Sequence, residues 1–248
     1  ANPTGALICE EELELLIRSA SPDTLIILDE CHEWLGDPIV ASSARAATNV
    51  IRVSSLSKNW SAPGIKVGWI VADAAFIDRY YEYASTSFGG PPSFFYTLVE
   101  VLARMERWLV TGETELTGAH CREFESTYGL RLPDLQRAYD GYRLERAARE
   151  HSLARSRQAY VNGMRMPGVA LLPPRYSINL AASFDGEDDS YVCFRRVLRE
   201  TGVSLFPGLL LFSLSGASVR LTTSRRWDDY AVALPRLRHH QGRELRTV

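Results

Sequence analysis

Long apolar runs are missing from the 248 residues. None reaches the length of a membrane span, and the opening residues do not read as a secretory signal. Cysteine is sparse. Cys9, Cys31, Cys121 and Cys193 are widely scattered with no CxxC pair. That spacing argues against a zinc ribbon or disulfide scaffold and fits a reducing cytoplasm. No metal site is expected. Net charge is also lacking: 28 basic against 30 acidic side chains leave −2 at neutral pH. No global field draws the chain to nucleic acid or an anionic membrane. The basic stretches over 143–157 and 236–246 interleave with glutamate and carry no stacking aromatics, so they read as solvated helix faces. There is no internal repeat. Nor is there an initiator methionine. Ala1-Asn2-Pro3-Thr4-Gly5 reads like the middle of a protein, and the expectation is a fragment of a longer chain.

What is present is ordinary globular material, 46% hydrophobic and 23% charged, with length for one large domain or two small ones. Asn2 to Gly5 has turn composition. Glu10, Glu11 and Glu12 suit a helix N-terminus, with Leu13, Leu16 and Ile17 on one face. The run Thr24 to Leu28 reads as a buried parallel strand ending at Asp29-Glu30. Residues 37–47 predict a short helix. Strands are expected over 50–54 and 67–71, then a helix from Asp73 to about Tyr83. Gly89-Gly90-Pro91-Pro92 is a break, followed by helix over about 93–110. Residues 121–162 predict a long helix interrupted near Pro133. Beyond 163–168, strands near 169–172, 178–183, 203–206 and 218–223 mix with helices near 188–200 and 226–239. The inventory predicts an α/β unit over 1–162, with a mainly parallel sheet and helices on both faces. A smaller α+β unit is expected over 163–248.

Lys58 lies just after a strand, in Ser54-Ser55-Leu56-Ser57-Lys58. Alone, such a lysine is a solvated surface charge. Alone, Asp29 is a helix cap and Asn2 a turn former. Their order along the chain, with Pro63-Gly64 behind the lysine and Ser218-Val219-Arg220-Leu221 near the end, resembles the fold-type I pyridoxal-phosphate (PLP) enzymes. Within these it resembles class I/II aminotransferases of the aspartate aminotransferase superfamily. The resemblance implies a PLP-dependent transferase fold whose large domain is incomplete at the N-terminus. It implies PLP as cofactor, an α-amino acid substrate and a homodimer. Lys58 would form the aldimine with the cofactor aldehyde and move a proton at the substrate Cα. Asp29 would hold the pyridine nitrogen protonated. Asn2 would donate to the ring's phenolic oxygen, Ser55 and Ser57 to the phosphate, and Arg220 would clamp the substrate carboxylate.

Two residues depart from the family pattern. His32 stands where a tyrosine is usual three residues after the aspartate, and an imidazole can donate the same bond while changing charge near neutral pH. Lys66 stands where a phosphate-binding arginine is usual, keeping the charge but losing the fork. A Gly-rich phosphate turn and a ring-stacking aromatic are not identifiable upstream of Asn2. These departures leave reaction type open. The runs 30–36 and 87–95 also resemble capreomycidine synthase-like PLP cyclases of arginine-derived amino acids in antibiotic pathways, which makes a lyase or cyclase the alternative. A PLP-fold regulator or binding domain is the alternative from another class.

Overall fold

The computed structural model describes residues 2–36, 40–90 and 92–244. Helix α1 (Glu10–Ser19) places its three glutamates in the first turn, at the positive end of the helix dipole, and buries Leu13 and Ile17. Strand β1 (Ile26–Asp29) pairs in parallel with β2 (Val50–Ser55), with Asp29 opposite Val53. The single-turn helix α2 (Leu56–Asn59) begins where β2 ends, and the Ser55 hydroxyl caps it by accepting from the Ser57 N–H. Strand β3 (Gly68–Val71) then returns antiparallel on the other edge of β2. The described first sheet is therefore mixed, in the order β1-β2-β3.

Helices α3 (Ala74–Ser87, capped by Asp73), α4 (Ser93–Val110) and α5 (Gly118–Cys121) follow. Helix α6 (Leu132–Met164) runs 33 residues. Its first half buries Leu135 and Tyr139 with Met105 and Trp108 of α4. Its last turns bury Tyr160, Val161 and Met164 in the core of the second sheet. That sheet contains β4 (Val169–Leu172), β5 (Asn179–Phe184), β6 (Phe206–Pro207) and β7 (Ser218–Thr222) in the order β4-β5-β7-β6, every pairing antiparallel. Helices α7 (Ser190–Thr201) and α8 (Trp227–Glu244) complete the chain; α7 packs Cys193 and Val197, and α8 Tyr230 and Leu237, into its core.

Several expectations change. The β1 run is parallel but buried on one side only: Ile27 is 67% exposed. The long helix does not begin near Cys121. It begins at Leu132, because Pro133 suits a first turn, where its missing N–H is no loss. Before it the chain makes a 3-10 turn over Ser126–Tyr128, ended by Gly129 with φ 60°. Between 40 and 47 the structure has a 3-10 turn, Ser43–Ala46, in place of a helix, while 37–39 lie outside the described residues, as does Pro91 of the Gly-Pro break. The strand expected near 203–206 is only Phe206–Pro207, paired with Arg220 and Val219 of β7.

One close passage ties the two sheets together. Tyr176, just before β5, runs between Gly5 and Gly36. A Cβ on Gly5 would sit 2.3 Å from the Tyr176 carbonyl, and one on Gly36 would sit 2.4 Å from the Tyr176 ring. Gly5 also has φ 65°, which side-chain-bearing residues rarely adopt. The Tyr176 N–H donates to the Gly5 carbonyl at 3.0 Å.

Candidate active site

Because β1 and β2 are parallel, their C-terminal ends lie at one edge of the sheet, where α/β folds gather functional groups. Asp29 ends β1, and Ser55 ends β2. Asp29 Oδ1 accepts from the Cys31 N–H at 3.0 Å, which curls the chain toward His32. Lys58 follows on α2. That short helix is pinned on three sides. Leu56 is fully buried, and Asn59 donates to the Ser54 hydroxyl at 3.4 Å. The Trp60 indole donates to Tyr142 on α6 at 3.0 Å, and Tyr142 in turn donates to Glu106 on α4. Trp60 also meets Trp34 and Trp69 edge-on, with ring centroids 5.0 and 5.7 Å away. Everything around Lys58 is fastened, while its half-buried amine makes no hydrogen bond or ion pair among the described residues.

The second sheet supplies the opposite wall. Asn179, at the start of β5, donates to Asn2 Oδ1 at 2.9 Å, and Arg220 on β7 reaches the same oxygen at 3.4 Å. Arg220 stacks over Phe206 of β6, its guanidinium carbon 4.1 Å from the ring centroid. Its Nε is buried without a hydrogen-bond partner among the described residues. His32 Nδ1 lies 2.7 Å from the Ser177 hydroxyl. Burial first, and then the Lys58 ammonium, hold the His32 ring down at about 4; Asp29 opposes this and Arg220 adds to it. Asp29, Lys58 and Arg220 thus all act on one imidazole, and the ring is neutral at physiological pH. Burial, and then Asp29, push the Cys31 thiol up.

The structure brings together Asn2, Asp29, His32, Ser55, Ser57, Lys58 and Arg220. Lys66 stands apart. It is exposed, has φ 58°, and lines an apolar hollow with Trp69, Tyr80 and Tyr81. Sequence reasoning missed Ser177, Asn179 and the ionic knot beneath the site. In that knot Arg45, 4% exposed, binds Glu10, Glu30 at 2.6 Å and Glu33 at 2.8 Å, while Arg52 binds Glu30 at 2.7 Å. Burial pushes Glu10 up, but its hydrogen bonds to Arg45 and Ser42 bring it below the usual carboxylate range. Burial pushes Glu33 up and Arg45 only partly offsets it. The one available signal was an arginine among small residues, with glutamates clustered elsewhere.

Over residues 1–108 the chain matches the family model of aminotransferase class I and II, and its fold is that of the PLP-dependent aminotransferases. A PLP-dependent aminotransferase from Streptococcus suis superposes with a TM-score of 0.71 at 22% identity, over 98% of this chain and 55% of that one. Aspartate aminotransferase from Thermus thermophilus with maleate gives 0.73 at 20% identity, over 96% of this chain and 54% of that one. Among curated proteins, histidinol-phosphate aminotransferase 1 of Bordetella parapertussis is 33% identical over 90 residues, 36% of this chain and 25% of that protein. An aromatic amino acid aminotransferase of Mycobacterium sp. strain JLS is 28% identical over 145 residues, 54% of this chain and 39% of that protein. The chain thus spans about half the length of these solved structures and less of the curated relatives.

The residues present fit pyridoxal phosphate, the cofactor named for the Streptococcus suis relative. A free amine suits its aldehyde, a carboxylate its pyridine nitrogen and small hydroxyls its phosphate. The Nε of Arg220 is a buried donor without an acceptor among the described residues.

Proposed function

We propose that this chain carries the lysine-bearing half of a PLP-dependent, aminotransferase-like enzyme acting on an α-amino acid. The observation that carries this reading is the Lys58 amine, which has no hydrogen bond or ion pair among the described residues and acts, with Asp29 and Arg220, on the His32 ring. When bound, the cofactor supplies an electron sink for negative charge at the substrate Cα. Lys58 would be its covalent anchor and the base that moves the Cα proton. Asp29 would keep the pyridine nitrogen protonated. Asn2 and His32 would donate to the phenolic oxygen, Ser55 and Ser57 to the phosphate, with Lys66 adding positive charge. Arg220 would bind the substrate carboxylate, its plane set by Phe206 beneath it.

The division of labour supports two units meeting at the end of α6, about 1–162 for the cofactor and 163–248 for the substrate carboxylate. A homodimer in the cytoplasm completes the proposal; the wide scatter of the four cysteines suits a reducing compartment, and no described helix is long and apolar enough to cross a membrane.

The test is to load the protein with PLP, reduce with borohydride and map the modified residue. Label on Lys58, absent in Lys58→Ala, supports the anchor; no stable label refutes it. Amino acid without a keto-acid acceptor then separates reaction types. Arrest after one turnover supports transamination, while continued turnover points to elimination or cyclisation.

A further inference from the structure

Ser177 is fully buried, and its φ is 87°. A serine holds that left-handed conformation only where its surroundings fix it. Here the fixing contacts come from both sides of the site. Tyr176 is clamped between Gly5 and Gly36. The Arg157 guanidinium reaches the Ser177 carbonyl at 3.4 Å and also binds the Leu35 carbonyl. Among the described residues the Ser177 hydroxyl has two hydrogen-bond neighbours, the Asn179 N–H at 3.2 Å and His32 Nδ1 at 2.7 Å.

Proton accounting decides how these groups are arranged. A backbone N–H can only donate, so Ser177 Oγ accepts from Asn179. The hydroxyl proton is buried and needs an acceptor of its own. Among the described residues, His32 Nδ1 is the acceptor within reach. A ring nitrogen that accepts is unprotonated, and in a neutral imidazole the proton then sits on the other nitrogen. The ring is neutral because burial and Lys58 oppose its charge, with Arg220 adding to them and Asp29 alone favouring it.

We infer that Ser177 is a positioning residue which, through its buried hydroxyl, fixes His32 as the Nε2–H tautomer. His32 Nε2 is thereby a donor only, and the choice is made by the strand-entry loop of the other sheet. A tyrosine at position 32 would carry its own donor. A histidine acquires one reliably only when its inner nitrogen is occupied, and the hydroxyl of Ser177 occupies it. What the donor serves rests on the proposed function, where it would face the cofactor's phenolic oxygen.

The tautomer can be read without cofactor, from the ¹⁵N shifts of the histidine rings in the unloaded protein at neutral pH. The signals of His32 are identified by their loss in His32→Gln. The expected result is a protonated Nε2 and an unprotonated Nδ1. Ser177→Gly, which keeps the backbone conformation easy, should shift both nitrogens toward the average of the two tautomers. A protonated Nδ1 in the wild type, or unchanged ring shifts in Ser177→Gly, overturns the inference. With PLP added, Ser177→Gly should weaken cofactor affinity about three- to tenfold, the worth of one hydrogen bond. The same change in a His32→Tyr background should have no effect. Equal weakening in both backgrounds overturns the link through His32. Failure of the wild type to bind PLP at all refutes the proposed function and leaves the tautomer result to be judged from the ring shifts.

Discussion

Around β1 and β2 the buried apolar cluster is Leu13, Ile17 and Val50. Around β5 and β7 it includes Leu180, Phe184, Val197, Val219, Leu237 and more. Beside the first sheet lies a cluster of charge. Arg45 and Arg52 share three glutamates that come from α1 and from the turn carrying His32. Hydrophobic burial stabilises without direction. A buried ion knot is a poor net source of stability, yet it fixes which groups meet. Among the described residues, the contacts around Asp29 and His32 are largely directional, while β5 and β7 are held mainly by packing.

Substitutions can break this contrast, beginning with the largest effect. Lys58→Ala should cut turnover by about 10²–10⁴-fold, the usual worth of a positioned acid–base group, and leave the melting temperature unchanged because its amine makes no hydrogen bond or ion pair among the described residues. Turnover and a thermal scan on one preparation check both halves. Arg45→Met leaves three carboxylates short of a partner and should cost about 3–5 kcal/mol, measured by urea unfolding. Lowering the pH should restore part of that loss, as the orphaned carboxylates take up protons.

Leu180→Ala on the second sheet should cost about 2–5 kcal/mol, and low pH should restore none of it. Equal pH responses of the two variants would erase the distinction between the regions. A smaller effect follows from His32. Its folded-state value, about 4, lies below the unfolded value of 6.5. The unfolded ring therefore takes up a proton first as pH falls, and this contribution to stability is lost between those two values. In His32→Gln the stability–pH curve should be flatter in that window. Arg18→Ala, removing an exposed pair with Glu14, should change stability by less than about 0.5 kcal/mol.

The parts legible in the sequence were those with a short-range cause. Asp29 ends β1 and Lys58 follows the end of β2, as the apolar runs before them suggest, and Asp73 caps its helix as its place before an apolar-periodic stretch suggests. What stayed hidden depends on long-range contact. Nothing local marks Ser177 as a partner of His32, 145 residues away. The open face of β1 was illegible for the same reason, because a run of apolar residues states what a strand is made of and not what covers it. The 3-10 turn over Ser43–Ala46 shows a third limit. Small residues there permit a helix, but the cap of Ser42 and the pull of the glutamates on Arg45 settle the geometry.

The three indoles of Trp34, Trp60 and Trp69 have a practical consequence for the spectroscopist. They form an edge-to-face chain that includes the residue two places after Lys58. Pyridoxal phosphate absorbs where tryptophan emits, so a loaded site would drain their fluorescence by energy transfer. Trp108, buried in the helical cluster, and Trp227, at the start of α8, belong to other parts of the fold. The protein therefore carries its own optical gauge of cofactor occupancy, one that could follow loading in real time without label or substrate.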